Sequence, residues 1–341
     1  SFHLMPKRAA RVPVRSARGR KNLLPSQYTH QLIAEEIFAR LPENVRAAIP
    51  SKAAYFLGAQ GGDIYFFFRV KDGRRRNLGK RMHNRRIYED LSAFAAAAGE
   101  ADEVSSYAAG YLCHYAADTV FHPFVYGLTE RFLAEEPSRR VKWHAYIESD
   151  LDTHFVNARL GLPVQSYSFP LRRKDVDLDA LYPLVHAVCG GSEEHRLFSP
   201  RAFRAAVGRF FLYVCWFRDP HLRRRRFFEG AERLLHVPHV LSALYRRAQA
   251  DERCLNADGR EWRNPSVPAF FSCEDADRLF ERAVAEGVRL LCEFFICVRG
   301  GVPLPREDFG KNFLSGAPEG VPVVRPERRR EKPSGDAQAE K

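Results

Sequence analysis

Several common catalytic and stabilising features are absent from this sequence of 341 residues. Its seven cysteines are scattered and include no C-x-x-C pair, which argues against a disulfide framework and a cysteine zinc knuckle. The motifs G-x-S-x-G and H-E-x-x-H and the P-loop do not occur, so the sequence does not indicate a serine hydrolase or a nucleotide hydrolase. No apolar run approaches the roughly 18 residues of a membrane-spanning helix. The sequence therefore predicts a protein that is soluble or at most peripheral to a membrane.

A secretory signal is also missing from the chain as given. The N-terminal region is basic, but it lacks the apolar segment of about 7 to 15 residues that follows such a region in a signal peptide. We therefore expect a cytoplasmic or membrane-peripheral location. Secretion stays open, because a removed signal leaves no trace.

Positive charge is abundant, with 54 Lys and Arg against 42 Asp and Glu and a net charge of +12. Residues 1–22 are rich in Lys and Arg and contain no acid, which predicts a basic, disordered arm. Two more basic clusters lie at 69–86 and 223–226. Such clusters attract anionic partners, but charge alone does not choose among phosphate, nucleic acid and an anionic membrane.

Helical periodicity dominates the rest of the chain. Apolar residues recur at intervals of three and four over 27–41. The same pattern predicts helices over 82–98, 104–133, 142–160, 200–217, 240–249 and 276–298. A Pro- and Arg-rich stretch, 164–179, is typical of a long surface connection. The sequence therefore predicts one all-α domain over 23–316, followed by a disordered tail over 317–341.

One predicted helix has histidine and aspartate at a spacing suited to metal binding. His114, Asp118 and His122 follow one another at intervals of four, and Pro123 comes next. Residues four apart lie on one helix face about 6 Å from each other, so His114 and Asp118 can bind one ion. His122 lies about 12 Å from His114 along the axis, too far to share that ion. One helix is therefore expected to serve two neighbouring metals. Pro123 removes a backbone donor, which favours a bend in the helix beside His122.

A second pair at this spacing, His144 and Glu148, falls on the next predicted helix. Imidazole and carboxylate without thiolate suit Zn²⁺ above all, with Mn²⁺ or Fe²⁺ as alternatives. A single pair of this kind is more often a surface ion pair than a metal site. Two pairs on successive helices in apolar surroundings favour a metal site.

Together these residues resemble the zinc-dependent phospholipase C family of bacteria. The similar segments are Gly110–His114 with Asp118, His122 and Pro123; His144 with Glu148; Tyr28–His30; Phe56–Asp63; Met82–His83; and Trp262–Pro265. They span most of residues 26–297, and the order of the ligand types makes the resemblance specific.

The resemblance implies an all-helical fold of the type shared by zinc-dependent phospholipases C and single-strand nucleases. It implies zinc ligands in three sets: Asp63, His83, His114 and Asp118 for a first ion, His122, His144 and Glu148 for a second, and His30 with Asp118 for a third. In secreted members the third ion also binds the amino group of an N-terminal tryptophan. This chain has 29 residues before His30 and no tryptophan there, so two ions are expected and the third stays open.

The resemblance also implies hydrolysis of a phospholipid or related phosphate ester by metal-activated water. Asp63 is the expected catalytic residue, because a carboxylate beside the metal can orient or deprotonate that water. Ile64 stands where phosphatidylcholine-cleaving relatives have tyrosine, so choline specificity does not carry over. Tyr65 and Phe66 are expected to pack in the core.

Two alternatives stay open. A single-strand nuclease would use a similar zinc cluster, although the short step from Asp118 to His122 and the use of Glu148 rather than aspartate favour the phospholipase side. A non-catalytic protein with structural metals, or one that binds anionic membranes through its basic arm, is the other alternative. His236 and His239 also have a metal-like spacing, but without a nearby acid in sequence they favour a loop.

Overall fold

The computed structural model describes residues 26–67, 78–99, 102–138, 141–188 and 198–329. Its α-helices are α1 (Gln27–Arg40), α2 (Glu43–Arg46), α3 (Lys52–Gly58), α4 (Leu78–Met82), α5 (Ile87–Ala97), α6 (Glu103–Glu135), α7 (Trp143–Leu160), α8 (Leu178–Val188), α9 (Pro200–Phe217), α10 (Arg223–Leu234), α11 (Glu252–Leu255), α12 (Ala276–Gly300), α13 (Arg306–Phe309) and α14 (Pro326–Arg329). Short 3₁₀ helices occupy Gly61–Phe67, Val164–Ser166, Arg173–Asp175 and Ser242–Leu244, and strands β1 (Trp262–Arg263) and β2 (Phe271–Ser272) pair antiparallel. The all-α fold class is therefore confirmed.

Helix α6 is the centre of the domain. It is 33 residues long and buried over most of its length, and it packs against α1, α3, α7 and α12. Asp102 begins it with a capping box, accepting a hydrogen bond from the Ser105 backbone N–H at 2.7 Å. The helix continues through Pro123 to its end. The predicted helix over 104–133 is thus confirmed as a single element.

Close backbone contact fixes α3 against α6. A side chain at Gly110 would overlap the Tyr55 carbonyl oxygen, and one at Gly58 would overlap the Tyr107 carbonyl oxygen. Glycine at both positions lets the two helices approach without intervening side chains. This contact holds the segment after α3 beside the middle of α6.

Two predicted helices differ from the structure. The helix over 82–98 is interrupted, because α4 ends at Met82 and α5 begins only at Ile87, after Arg86 with a positive φ of 58°. The helix over 240–249 is wrong: only the 3₁₀ turn Ser242–Leu244 forms there. The stretch 164–179 is a connection as predicted, but it buries apolar residues such as Leu171 against the domain.

The predicted chain ends need one correction. Residues 317–329, assigned from the sequence to a disordered tail, contact the domain: Glu319 accepts from the Ile87 backbone N–H at 3.2 Å, and the Val324 N–H donates to Ser266 Oγ at 3.0 Å. The predicted arm 1–22, the tail from residue 330 on and part of the basic cluster at 69–86 lie outside the described residues. Among the described helices, none is long and apolar enough to cross a membrane.

Candidate metal centre

The eight residues predicted as metal ligands lie together in the middle of the domain. They come from α1 (His30), the 3₁₀ helix Gly61–Phe67 (Asp63), the turn after α4 (His83), α6 (His114, Asp118, His122) and α7 (His144, Glu148). All are buried except His144, which is half-buried. Their ligand atoms fall into three groups: His30, Asp63 and His114; His83, His114 and Asp118; and His122, His144 and Glu148.

Donor atoms around His83 have the spacing of a tetrahedral zinc site. His83 Nε2 lies 3.1 Å from His114 Nε2, 3.3 Å from Asp63 Oδ1 and 3.4 Å from Asp118 Oδ2. His114 Nε2 is also 3.4 Å from Asp118 Oδ2. Metal–ligand distances of about 2.0 to 2.1 Å in a tetrahedron place the ligand atoms about 3.3 to 3.4 Å apart. His83, His114 and Asp118 therefore have the mutual spacing of zinc ligands, and Asp63 lies at the same distance from His83.

Two histidines are oriented by backbone carbonyls. His83 Nδ1 donates to the Gly79 carbonyl at 2.6 Å, and His122 Nδ1 donates to the Phe313 carbonyl at 3.0 Å. Because a carbonyl only accepts, both rings hold their proton on Nδ1 and present Nε2 as the basic nitrogen when neutral. Such a second hydrogen bond is the usual means of orienting a metal-ligating histidine.

The second group lies where α6 and α7 meet. His144 Nε2 is 3.1 Å from Glu148 Oε1, and His122 Nε2 is 3.8 Å from the same oxygen. The His122 and His144 rings are nearly parallel, with centroids 5.6 Å apart. This is the set implied for the second ion.

Asp118 lies between the groups and also reaches His30. Its Oδ1 is 3.4 Å from His30 Nε2, while its Oδ2 faces His83 and His114. The contact with His30 is the one implied for a third ion. His30 also groups with Asp63 and His114, and the number of ions stays a prediction.

Buried polar atoms without hydrogen-bond partners are concentrated here. They include both oxygens of Asp63, Asp118 Oδ2, Glu148 Oε2 and the Nδ1 atoms of His30, His114 and His144. A buried polar atom left unsatisfied costs about 1 to 3 kcal/mol, and more when it is charged. Cations bound among the carboxylates would remove much of this cost, so the donor set fits a metal.

The buried carboxylates of Asp63 and Asp118 favour positive charge at the candidate metal centre. Burial opposes protonation of His83, but the carboxylates of Asp118 and Asp63, which lie within 3.4 Å of its Nε2, outweigh it and raise its pKa to about 10. Burial lowers the pKa of His114 to about 3. Burial also opposes ionisation of Asp118, yet the charges of His114 and His122 hold its pKa below the ordinary value.

Two glycines let the histidine rings approach the backbone. A side chain at Gly61, which has a φ of 47°, would overlap the His114 ring, and one at Gly62 would overlap the His83 ring. The Gly-Gly-Asp sequence therefore does more than form a turn. It brings the Asp63 carboxylate to both histidines in the space that side chains would fill.

His30 is anchored by a buried ion pair that sequence reasoning missed. Thr29 donates to Asp152 Oδ1 from its backbone N–H at 2.7 Å and from its hydroxyl at 2.8 Å. Arg246 Nε donates to Asp152 Oδ2 at 3.0 Å, and its guanidinium lies 4.0 Å from the centre of the Tyr28 ring. Nothing in the spacing of these residues indicates this pairing.

Residues 306–329, here called the C-terminal strap, also form part of the site. Besides the Phe313 carbonyl, the Phe313 ring packs against His83 and His114 at centroid distances of 5.3 and 5.7 Å. Near the end of the strap, Glu327 Oε1 accepts from the His144 backbone N–H at 3.4 Å. Sequence reasoning missed these contacts, since a backbone carbonyl leaves no signature in the sequence.

The other predicted features have clear positions. Tyr65 is fully buried with its hydroxyl 2.9 Å from that of Tyr107, so core packing is confirmed, and Phe66 stacks on His83 at 5.3 Å. His236 and His239 lie in a loop as predicted. An acid does lie near them, because His239 Nδ1 is 3.4 Å from Glu232, but that carboxylate already accepts backbone N–H groups of residues 240–242.

A helical domain that brings three neighbouring groups of His, Asp and Glu donors together defines a candidate helical metalloenzyme. The family model described as zinc dependent phospholipase C matches residues 29–184, which contain all eight candidate ligands. Over this segment the chain is similar to the zinc-dependent phospholipase C family. Comparisons with curated proteins and with solved structures found no match.

Proposed function

We propose that this protein is a zinc-dependent phosphodiester hydrolase of the phospholipase C type, acting on a phospholipid or a related phosphate ester. The observation that supports it most is the zinc-like spacing of donor atoms from His83, His114 and Asp118, with Asp63 beside His83 and the second group at His122. Two adjacent donor groups suit a phosphodiester, whose attacking and leaving oxygens both need stabilisation.

Zinc, when bound, supplies a water of lowered pKa and polarises phosphate oxygens. The chain's own contribution begins with Asp63, whose two buried oxygens accept no hydrogen bond. Its carboxylate can therefore accept a proton from the attacking water while His83 holds it in place from 3.3 Å. Between the donor groups, a cavity of about 20 Å³ lined by His30, Asp118 and Glu148 has room for about one water.

The test combines metal content with hydrolysis. We expect purified full-length protein to contain zinc by elemental analysis and to hydrolyse bis(p-nitrophenyl) phosphate and short-chain phospholipids. Asp63→Asn should lower kcat by about 100-fold or more, the usual contribution of a general base. His144→Ala should lose zinc, whereas His154→Ala on the same helix, where His154 pairs with Asp277 at the surface, should keep both zinc and activity.

Two outcomes would contradict the proposal. An Asp63→Asn protein that kept full activity would remove Asp63 from the mechanism. Zinc bound without hydrolysis of any phosphodiester would favour a structural role for the metal. Cleavage of single-stranded DNA in place of phospholipid would instead support the nuclease alternative.

A further inference from the structure

An exposed apolar surface lies at the end of α9 and along α10. Phe227 is 69% exposed and Leu234 79% exposed, and they lie seven residues apart on one face of α10. On α9, Leu212 and Trp216 are four residues apart and are also exposed. Large apolar side chains in this number on adjacent helices mark an interaction surface.

Arg224 joins the two helices into one surface, here called the α9–α10 face. Its guanidinium lies 5.1 Å from the centre of the Trp216 ring, and it donates to the Trp216 carbonyl at 2.7 Å. Arg224 is also one helical turn from Phe227 on α10. The face therefore consists of Leu212, Trp216, Arg223, Arg224, Arg226, Phe227 and Leu234.

Helix α10 inverts the usual distribution of charged and apolar residues. Its only buried side chain in the structure is Glu232, whose carboxylate accepts backbone N–H groups of Val240 and Leu241. The arginines at 223, 224, 226 and 233 are exposed, beside the apolar residues. With Glu232 turned inward, the solvent side of the helix is apolar and strongly positive.

We propose that the α9–α10 face docks on the surface of an anionic phospholipid membrane. Apolar residues flanked by arginines suit the boundary between head groups and acyl chains, where the side chains enter the apolar layer and guanidinium groups meet phosphates. An apolar protein partner would explain the exposed Phe227 and Leu234 but not the surrounding positive charge. The proposal deepens the proposed function, since it places the enzyme on the membrane that holds a phospholipid substrate.

Helix α9 links this face to the metal centre. Tyr213, next to Leu212, is buried on the opposite side of α9. Burial raises the pKa of Tyr213, and the charges of Glu148 and Asp63 add to the rise, although Arg246 opposes it. One side of α9 packs against the 3₁₀ helix that carries Asp63, while Leu212 and Trp216 face solvent.

Trp216 provides an intrinsic probe for the test. The chain has three tryptophans, and Trp143 and Trp262 are buried at 0% and 3% exposure, whereas Trp216 is 57% exposed. The full-length Asp63→Asn protein, chosen to prevent lipid hydrolysis, is mixed with vesicles of phosphatidylglycerol or of phosphatidylcholine. We expect the tryptophan emission to shift to shorter wavelength and the protein to sediment with the phosphatidylglycerol vesicles.

Variants separate apolar from electrostatic binding. Phe227→Ser with Leu234→Ser should lower vesicle partitioning at least tenfold, because both side chains leave the apolar layer. Arg224→Gln should lower it about fivefold on phosphatidylglycerol and little on phosphatidylcholine. Ile296→Ser, which changes an exposed apolar residue on α12, is the matched control and should leave partitioning unchanged.

In the background that retains Asp63, the Phe227→Ser/Leu234→Ser protein should hydrolyse bis(p-nitrophenyl) phosphate at the normal rate. Vesicle binding can thus fail while hydrolysis succeeds, or the reverse, so the two proposals are tested separately. Equal vesicle binding by the double variant and its control would overturn the inference. So would a dimer in sedimentation equilibrium that the same double variant dissociates, since a second copy would then cover the face.

Discussion

Replacing Arg246 should lower the free energy of unfolding more than replacing an arginine of a surface ion pair. Arg246 is 5% exposed and Asp152 is 0% exposed, and the guanidinium donates to Asp152 from Nε and from Nη2. Arg246→Met leaves the Asp152 charge buried without its cation. Breaking a buried pair in this way costs about 3 to 5 kcal/mol.

The double variant Asp152→Leu/Arg246→Met separates the cost of the unpaired charge from the cost of the lost hydrogen bonds. Removing both charges relieves the uncompensated burial, but the backbone N–H and hydroxyl of Thr29 lose their acceptor. A cost of about 1 to 3 kcal/mol should remain for those donors. The double variant is therefore expected to be more stable than the Arg246→Met single variant.

Urea unfolding of the zinc-saturated full-length protein measures both values. The surface control is Arg172→Ala, because Arg172 is 67% exposed and its pair with Asp175, screened by solvent, should contribute little. Zinc affinity, measured on the same samples, should fall in Arg246→Met since Thr29 precedes His30. A loss for Arg246→Met no larger than for the control, or a double variant less stable than the single one, would refute the reasoning.

Two further predictions concern glycine and helix capping. Gly61→Ala should lose zinc on elemental analysis, because the new methyl group overlaps the His114 ring. Gly161, with a φ of 63° and open space around it, provides the control: Gly161→Ala should keep its zinc, and its free energy of unfolding should fall by about 1 to 2 kcal/mol. Equal zinc loss in both variants would show that backbone strain alone is responsible. Asp102→Ala should lower the free energy of unfolding by about 1 kcal/mol in urea through loss of the α6 cap, and a fall in its zinc content would contradict a purely local effect.

The long helices and the grouping of the candidate ligand residues were predictable because their signals are local. Histidine and carboxylate four apart on α6 and α7 must share a helix face, whatever packs around them. The partners that orient them were not predictable. Asp152 and Arg246 are far apart in sequence, and only the folded chain brings them within hydrogen-bonding distance.

The predicted helix over 240–249 failed because tertiary hydrogen bonds replaced helical ones. Its apolar residues have helical spacing, but the backbone N–H groups of Val240, Leu241 and Ser242 donate to the buried Glu232 carboxylate. Those donors are then satisfied without a helix, and the chain forms a 3₁₀ turn. Helix α10, which carries Glu232, was not predicted. Its apolar residues face solvent, so the sequence has no apolar stripe that would mark a buried helix face.

The C-terminal strap shows why the ligands alone do not define the second metal group. The Phe313 carbonyl holds the His122 proton on Nδ1, and Glu327 accepts from the start of α7 at His144. Both residues lie outside the matched segment 29–184, which holds every candidate ligand. Every residue has a backbone carbonyl, so a match between sequences cannot detect the hydrogen bond from His122 to the Phe313 carbonyl. We therefore expect a metal bound at His122 to stabilise the docking of the strap, because the strap orients this candidate ligand.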